Sequence, residues 1–216
     1  MARAATIRKE PSEGPGRTRQ PAADRRKAIL AAAREVFLER GYANSSIDAV
    51  VERSGGSKAT VYQLFGNKEG LLAALVAEGA EELAHLVDAL PLDGGLEDSL
   101  RKFGHRYLSV VLRPERLGLF RLVVGECSRV PELGDVFYRS GPQSCGKGMT
   151  RFFSSVMERG LMKRADPERT AYQFIHALRG DLYMQVMLNP TRAPTAPEIE
   201  QHVDFVVRAF LDGYRA

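Results

Sequence analysis

Hydrophobic residues recur at helical spacing along most of the chain. Apolar positions three and four residues apart run from about Asp24 to Arg40, and again from Asn67 to Pro91, which is the pattern of amphipathic helices. Further stripes cover residues 96–112, 114–128, 131–141, 149–160, 167–188 and 199–214, with a flexible connector expected between Gly141 and Met149. No segment alternates strictly enough between apolar and polar residues to predict a strand. The sequence therefore predicts an all-α protein.

Between the first two long helices lies a stretch that predicts two short helices joined by a tight turn. Ser45 is expected to be the N-cap of the first, with Asp48 completing a capping box. Gly55 and Gly56 end that helix, because glycine adopts left-handed backbone angles without a steric penalty. Ser57 caps the second helix. Proteins use this helix-turn-helix arrangement to place a helix in the major groove of DNA.

The second short helix separates an inward from an outward set of residues. Val61, Leu64 and Phe65 are predicted to face the interior. On the other side, the free N–H groups at the helix N-terminus favour phosphate. Hydroxyl and amide side chains can bond phosphate oxygens and base edges, and a small side chain lets the helix approach the DNA closely. The outward residues with these properties are Ser57, Lys58, Ala59, Thr60, Tyr62 and Gln63.

Several blocks in this order resemble the DNA-binding domain of TetR/AcrR-family transcriptional regulators. The matching pieces are residues 29–33, 37–42, 45–48, 57–62 and 65–69, within a stretch from Arg25 to Leu75. The resemblance implies a three-helix head that binds double-stranded DNA through the helix-turn-helix. Gly56 and Gly70 depart from the family pattern, which usually has a small apolar residue and a helix former at these positions. The residues on which the resemblance implies DNA contacts are Tyr42, Ser45, Ser46, Ser57, Lys58, Ala59, Thr60, Tyr62, Gln63 and Lys68.

Positive charge is concentrated in the same part of the chain. Residues 1–66 carry 12 Lys and Arg against 7 Asp and Glu, a balance of +5, whereas the remaining residues carry 19 against 20, a balance of −1. Such an excess favours contact with nucleic acid. Residues 1–22 are predicted to be a disordered basic arm, either a solvated tail or a segment that adds DNA contacts. We place the helix-turn-helix domain at residues 23–70 and a ligand-binding and dimerisation domain at residues 71–216.

The near-neutral body is predicted to bind a small molecule. Residues 106–133 look like the C-terminal domain of the AefR-like subgroup, and the resemblance implies an effector pocket and a homodimer formed through the last two helices. Aromatic residues and a few polar groups on the body helices suit a largely apolar pocket. The candidates are Phe103, Tyr107, Phe120, Arg121, Phe137, Phe152, His176 and Tyr183.

Catalysis, metal binding and membrane insertion find little support in the sequence. The sequence of residues 141–148 is close to the motif of a phosphate-binding loop. Gly148, however, stands where the motif has a serine or threonine, and no predicted strand precedes the loop. The four histidines lack ligand spacing, so no metal or cofactor is expected. Cys127 and Cys145 form no CxxC motif and are expected to be reduced, with Cys127 either a small core residue or a redox-sensing thiol. No apolar run reaches bilayer length and no secretory signal is recognisable, so we expect a bacterial cytoplasmic, nucleoid-associated protein.

These features predict a ligand-responsive repressor, not an enzyme, that binds a palindromic operator as a homodimer and is released by a small apolar effector. Three alternatives stay open. An activator of the same fold would differ only in where its operator lies. A non-specific architectural protein would bind all duplexes equally. A helical enzyme or carrier with a basic N-terminal bundle would show turnover.

Overall fold

In the computed structural model, helices pack into a small N-terminal head and a larger body. The structure describes residues 22–88, 90 and 95–214, and the predicted basic arm lies outside them apart from Ala22. Every regular element in these ranges is a helix, which confirms the all-α prediction. In chain order they are α1 Ala22–Arg40, α2 Ile47–Ser54, α3 Lys58–Phe65, α4 Lys68–Asp88, α5 Leu96–Val111, α6 Pro114–Glu126, α7 Pro131–Ser140, α8 Pro142–Glu158, α9 Pro167–Leu188 and α10 Ala196–Tyr214. None of the described helices is both long and apolar enough to cross a membrane.

The head is built by α1, α2, α3 and the first turns of α4 around one apolar core. Phe37 of α1 and Val50 of α2 are completely buried, and Val61 and Phe65 of α3 close the core from the other side. Gly41 ends α1 with a φ of +75°, a conformation that favours glycine. The buried apolar residues of both short helices therefore face the core that they share with α1 and α4, and this arrangement leaves the opposite side of α3 in solvent.

The head core does not stop at the predicted domain boundary. Leu119 and Val123 of α6 and Leu133 of α7 pack into the same cluster as the head residues, as do Leu75 and Val76 of α4. The boundary at residue 70 stays a prediction, but the packing around α4 is continuous across it. Because interiors are close-packed, a displacement of α6 transmits strain directly to the head.

A second core lies in the body, where α5 packs against α10 and α8 against α9. Its centre is aromatic. The ring of Phe174 lies 6.2 Å from that of Phe103, 5.9 Å from that of Phe153 and 4.8 Å from that of Phe210, measured between centroids. This cluster fixes the positions of α5, α8, α9 and α10 relative to one another.

Helix α9 is broken at Gly180, where φ is 45° and ψ is −152°. The carbonyl oxygen of Leu178 lies 2.8 Å from Nε2 of His202 on α10, so a side chain of another helix is its hydrogen-bond partner. A Cβ on Gly180 would lie 2.9 Å from the same imidazole ring. Glycine thus allows both the kink and the close approach of α10.

The flexible connector that we expected between Gly141 and Met149 is a wrong prediction. Helix α8 begins at Pro142, directly after α7 ends at Ser140. Proline suits the first position of a helix, because its missing N–H has no partner there and its φ is already helical. The stretch that resembles a phosphate-binding loop is therefore the single residue Gly141 between the two helices and the first turns of α8.

Candidate functional site

The N-terminal end of α3 forms an exposed polar surface. The Oγ of Ser57 accepts a hydrogen bond from the Thr60 backbone N–H at 3.2 Å and lies 3.1 Å from Oγ1 of Thr60. Lys58 forms an ion pair with Asp48 of α2 at 2.5 Å, with both side chains largely exposed. The cap thus holds α3 in place while a lysine and two hydroxyl groups stay at the surface.

Exposure along α3 largely follows the predicted division. Val61 and Phe65 are buried, and Tyr62 is 51% exposed, with Gln63 and Ala59 also exposed. The inward placement of Leu64 was wrong, because its side chain is 38% exposed. In this helix of two turns, Val61 and Phe65 occupy the inward stripe, and Leu64 lies at its edge.

Ser46, and not Ser45 as predicted, is the N-cap of α2. The Oγ of Ser46 accepts a hydrogen bond from the Ala49 N–H at 3.2 Å. Ser45 is buried, and its hydroxyl donates to the carbonyl oxygen of Gly41 at 2.5 Å and approaches that of Val36 at 3.3 Å. Ser45 therefore closes the loop between α1 and α2, and only Ser46 lies on the exposed surface.

Tyr42 is also inside the head, and Lys68 is held against it. The Tyr42 ring packs edge-on to Phe37 with 5.4 Å between centroids, and burial raises the pKa of its phenol. The Nζ of Lys68 lies 4.2 Å from the Tyr42 ring centroid and donates to the carbonyl oxygens of Tyr42 at 2.7 Å and Ser45 at 3.0 Å. Two of its three N–H donors are thus used within the head. The remaining predicted contacts lie on the exposed surface around α2 and α3.

The two glycines that depart from the family pattern each have a steric reason. Gly56 has a φ of +99°, and the guanidinium of Arg25 lies where a Cβ would be. Arg25 also donates to the Ser54 carbonyl oxygen at 3.3 Å, so it fills the turn. A Cβ on Gly70 would lie 1.9 Å from the carbonyl oxygen of Phe65, the last residue of α3.

Replacing Gly70 with alanine should destabilise the head. The clash is with a backbone oxygen, so the end of α3 must move, and overpacking of this kind costs about 1–3 kcal/mol. Urea denaturation measures the free energy of unfolding. The control is Gly125→Ala on α6, where a Cβ meets nothing within 4 Å and alanine stabilises a helix by about 0.5–1 kcal/mol. Equal stability of Gly70→Ala and the wild type would contradict the packing at the α3–α4 junction.

A cavity of about 330 Å³ lies in the body between α4 and α9. Five predicted pocket residues line it, and three do not. Phe103 belongs to the body core, Phe152 packs against that core, and Arg121 approaches the Met187 carbonyl oxygen at 3.4 Å. The residues that line the cavity are Val76, Leu83, Tyr107, Val111, Arg116, Leu119, Phe120, Phe137, Tyr138, Gly141, Pro142, Cys145, Tyr172, Ile175, His176, Arg179 and Tyr183.

Helix α9 presents a polar side to this cavity, of which His176 and Tyr183 were predicted from sequence and Tyr172 and Arg179 were not. Tyr172, His176, Arg179 and Tyr183 follow one another at spacings of four, three and four residues, beside the apolar stripe that enters the core. Such a spacing places all four on one face of a helix. The signal was present, but the stronger apolar stripe of α9 concealed it.

The fold and these two features define a class. An all-α protein with a helix-turn-helix head and a cavity in a helical body has the architecture of a one-component transcriptional regulator. The chain belongs to the TetR family. Residues 29–75 match the model of bacterial regulatory proteins of the tetR family, and residues 98–216 match the model described as AefR-like transcriptional repressor, C-terminal domain. Members of this family bind DNA and typically dimerise, and they are regulators and not enzymes.

Several known proteins are similar over almost the whole chain. An uncharacterised HTH-type transcriptional regulator of Mycobacterium tuberculosis is 27% identical over 187 residues, which covers 87% of this chain and 88% of that protein. A TetR-family regulator of Mesorhizobium loti has a crystal structure with a TM-score of 0.81 and 26% identity, covering 92% of this chain and all of that one. The flavonoid-responsive regulator FrrA has a TM-score of 0.75 and 29% identity, covering 89% of this chain and 98% of its own.

Among the described residues, no group of three or more His, Cys, Asp or Glu side chains is placed to hold a metal ion. Cys145 is buried and Cys127 is half-buried. The exposed surface of α3 and the body cavity are therefore the two features on which a functional account rests.

Proposed function

We propose that this TetR-family regulator is a repressor that binds a near-palindromic operator as a homodimer and leaves it when a small apolar effector enters the body cavity. The observation that carries the proposal is that the cavity and the head share residues. Val76 of α4 and Leu119 of α6 line the cavity and also belong to the head core. An occupant of the cavity thus contacts the packing that fixes the orientation of the head.

Charged groups reinforce the connection between α4 and α6. Glu82 pairs with Arg113 at 2.7 Å and with Arg116 at 3.0 Å, and Arg116 also lines the cavity. Burial alone would raise the pKa of Glu82, but the hydrogen bonds and charges of the two arginines lower it overall. Glu82 is therefore ionised at neutral pH and holds the start of α6 against α4.

Exposed apolar side chains on the last two helices support a dimer interface there. Phe205 of α10 is 67% exposed, and Met184 and Leu188 of α9 are 54% and 78% exposed. Helices α9 and α10 pack on each other, so these residues belong to neighbouring elements. Such residues suit an isologous interface between two copies of the chain. A dimer then presents two α3 helices to successive half-sites about one helical turn apart.

The effector acts by favouring one arrangement of the heads over the other. A ligand shifts this equilibrium only by its difference in affinity for the two arrangements. Tenfold discrimination corresponds to about 1.4 kcal/mol of coupling. The similarity to FrrA, which is named for its response to flavonoids, supports a small organic effector for this chain as well. We expect the protein to act in the bacterial cytoplasm, at the nucleoid.

Selection of binding sites from the organism's own fragmented genome tests the proposal. The purified protein should enrich fragments that share an inverted repeat, and footprinting should show protection of both half-sites. A transcription assay on the enriched promoter then distinguishes repression from activation. Enrichment without any shared sequence would contradict operator recognition, and increased transcription on binding would favour the activator.

A further inference from the structure

Arg179 brings a positive charge to the wall of the cavity without a negative partner. Its Nε donates a hydrogen bond to the Tyr107 hydroxyl at 2.7 Å, and its guanidinium carbon lies 5.3 Å from the ring centroid of Tyr183. Within the described residues, Nε is the one nitrogen of this guanidinium with a hydrogen-bond acceptor, and no carboxylate lies within ion-pair distance of it. Its two Nη groups therefore have no protein acceptor there.

The groups closest to Arg179 are neutral at neutral pH. Burial raises the pKa of the Tyr107 phenol and raises that of the Cys145 thiol to about 11. Arginine keeps its proton throughout this range. Neither a phenolate nor a thiolate balances the charge of Arg179, which is half-buried, and a charge partly removed from water without a partner is unfavourable.

The other cavity residues add no negative charge. None of the described lining residues is acidic. Arg116, the second arginine of the wall, shares Glu82 with Arg113 and is thus already paired. His176 is exposed. The cavity therefore combines aromatic walls with one unpaired cation.

We propose that the effector is a small carboxylic acid that binds as its anion, with its carboxylate on the Nη groups of Arg179. A guanidinium presents paired donors that match a carboxylate in geometry and charge. The apolar part of the ligand lies against Phe120 and Phe137, whose ring centroids are 5.3 Å apart. A volume of about 330 Å³ is at the small end for ligand pockets, which favours a compact acid. This inference rests on the proposed function and refines the small apolar effector proposed there to an acid that is apolar apart from its carboxylate.

Matched acid and amide probes test the charge requirement. Calorimetric titration at neutral pH compares cinnamate with cinnamamide and decanoate with decanamide, on the full-length wild type and on Arg179→Gln. The control is Arg101→Gln, a half-buried arginine of α5 that pairs with Glu97 and Asp204 outside the cavity. A fourth protein, Arg179→Lys, keeps the positive charge but not the paired N–H donors of the guanidinium. Thermal unfolding confirms that each variant is folded.

The wild type and Arg101→Gln should bind at least one of the two acids about tenfold or more tightly than its amide, because a hydrogen bond to a charged group is stronger than one to a neutral group. Arg179→Gln should lose this preference and Arg179→Lys should keep part of it. If Arg179→Gln does not fold, Arg179→Lys provides the test. A preference of Arg179→Lys for acid over amide as large as that of the wild type would overturn the paired-donor geometry. Failure of the wild type to bind either acid, equal affinity for acid and amide, or an unchanged preference in Arg179→Gln would overturn the proposal.

Operator binding by the same proteins without probe separates this inference from the proposed function. Arg101→Gln should bind operator DNA as the wild type does, since Arg101 lies on α5 outside the cavity. If the wild type binds operator DNA selectively but does not prefer the acids over their amides, only the ligand class is rejected. Absence of sequence-selective DNA binding in the wild type rejects the regulator proposal itself.

Discussion

Replacing Phe205 with glutamate is expected to convert the proposed dimer into monomers and to weaken operator binding by roughly 10²–10⁴-fold, because two linked half-site contacts become one. Phe205 is 67% exposed on α10, and Met184 and Leu188 are exposed on the neighbouring helix α9. In an isologous interface each substitution acts twice and buries two carboxylates. Analytical ultracentrifugation measures the oligomeric state, and anisotropy titration measures the affinity.

Val124→Glu is the matched control for this prediction. Val124 is 54% exposed, but it lies on α6 and not on α9 or α10. The variant should stay dimeric and keep its operator affinity. A dimeric Phe205→Glu protein with unchanged affinity would show that the two chains associate through another surface.

Charge reversal at Lys58 should weaken operator binding roughly fifty-fold at about 0.1 M salt and reduce the slope of log affinity against log salt by about two, because each of the two heads of the proposed dimer loses one phosphate contact. Lys58 lies at the exposed start of α3, where phosphate is expected. The head should stay folded, since an acidic residue in the first turn of a helix interacts favourably with the helix dipole. Anisotropy titration of Lys58→Glu across a salt series measures both quantities.

Lys102→Glu provides a closely matched control for Lys58→Glu. The two lysines are 58% and 56% exposed, and each pairs with one aspartate, Lys58 with Asp48 at 2.5 Å and Lys102 with Asp98 at 2.6 Å. Lys102 lies on α5 of the body, so its reversal should leave affinity and salt slope unchanged. Equal losses in both variants would mean that overall charge, and not a contact at α3, determines binding.

The helices could be predicted from sequence because a buried stripe repeats with every turn. Ends and kinks depend on single residues and were less predictable. Ser45 and Ser46 are chemically identical neighbours, and only the packing of the α1–α2 loop decides that Ser46 is the cap. At Gly180 helix α9 is broken and His202 of α10 approaches closely, and an element distant in sequence leaves no local signal.

The cavity was harder to predict than the exposed surface of α3. Phe103 and Tyr107 are four residues apart on one face of α5, yet Phe103 contributes only to the core whereas Tyr107 also lines the cavity. The periodicity of a sequence predicts which face of a helix is buried. It does not predict whether the opposing helix fills the space against that face or leaves a cavity there. The α3 surface needed no such knowledge, because its residues follow the cap and turn in one local stretch.

The most direct test of the regulator account is the ratio of affinities for operator and scrambled DNA. Fluorescence anisotropy with duplexes from the protein's own upstream region, measured from low to physiological salt, gives this ratio. The account predicts a preference of about 10³-fold or more for the operator at physiological salt, with both affinities falling as salt rises. Equal affinity for the operator and the scrambled duplex at every salt concentration would contradict it.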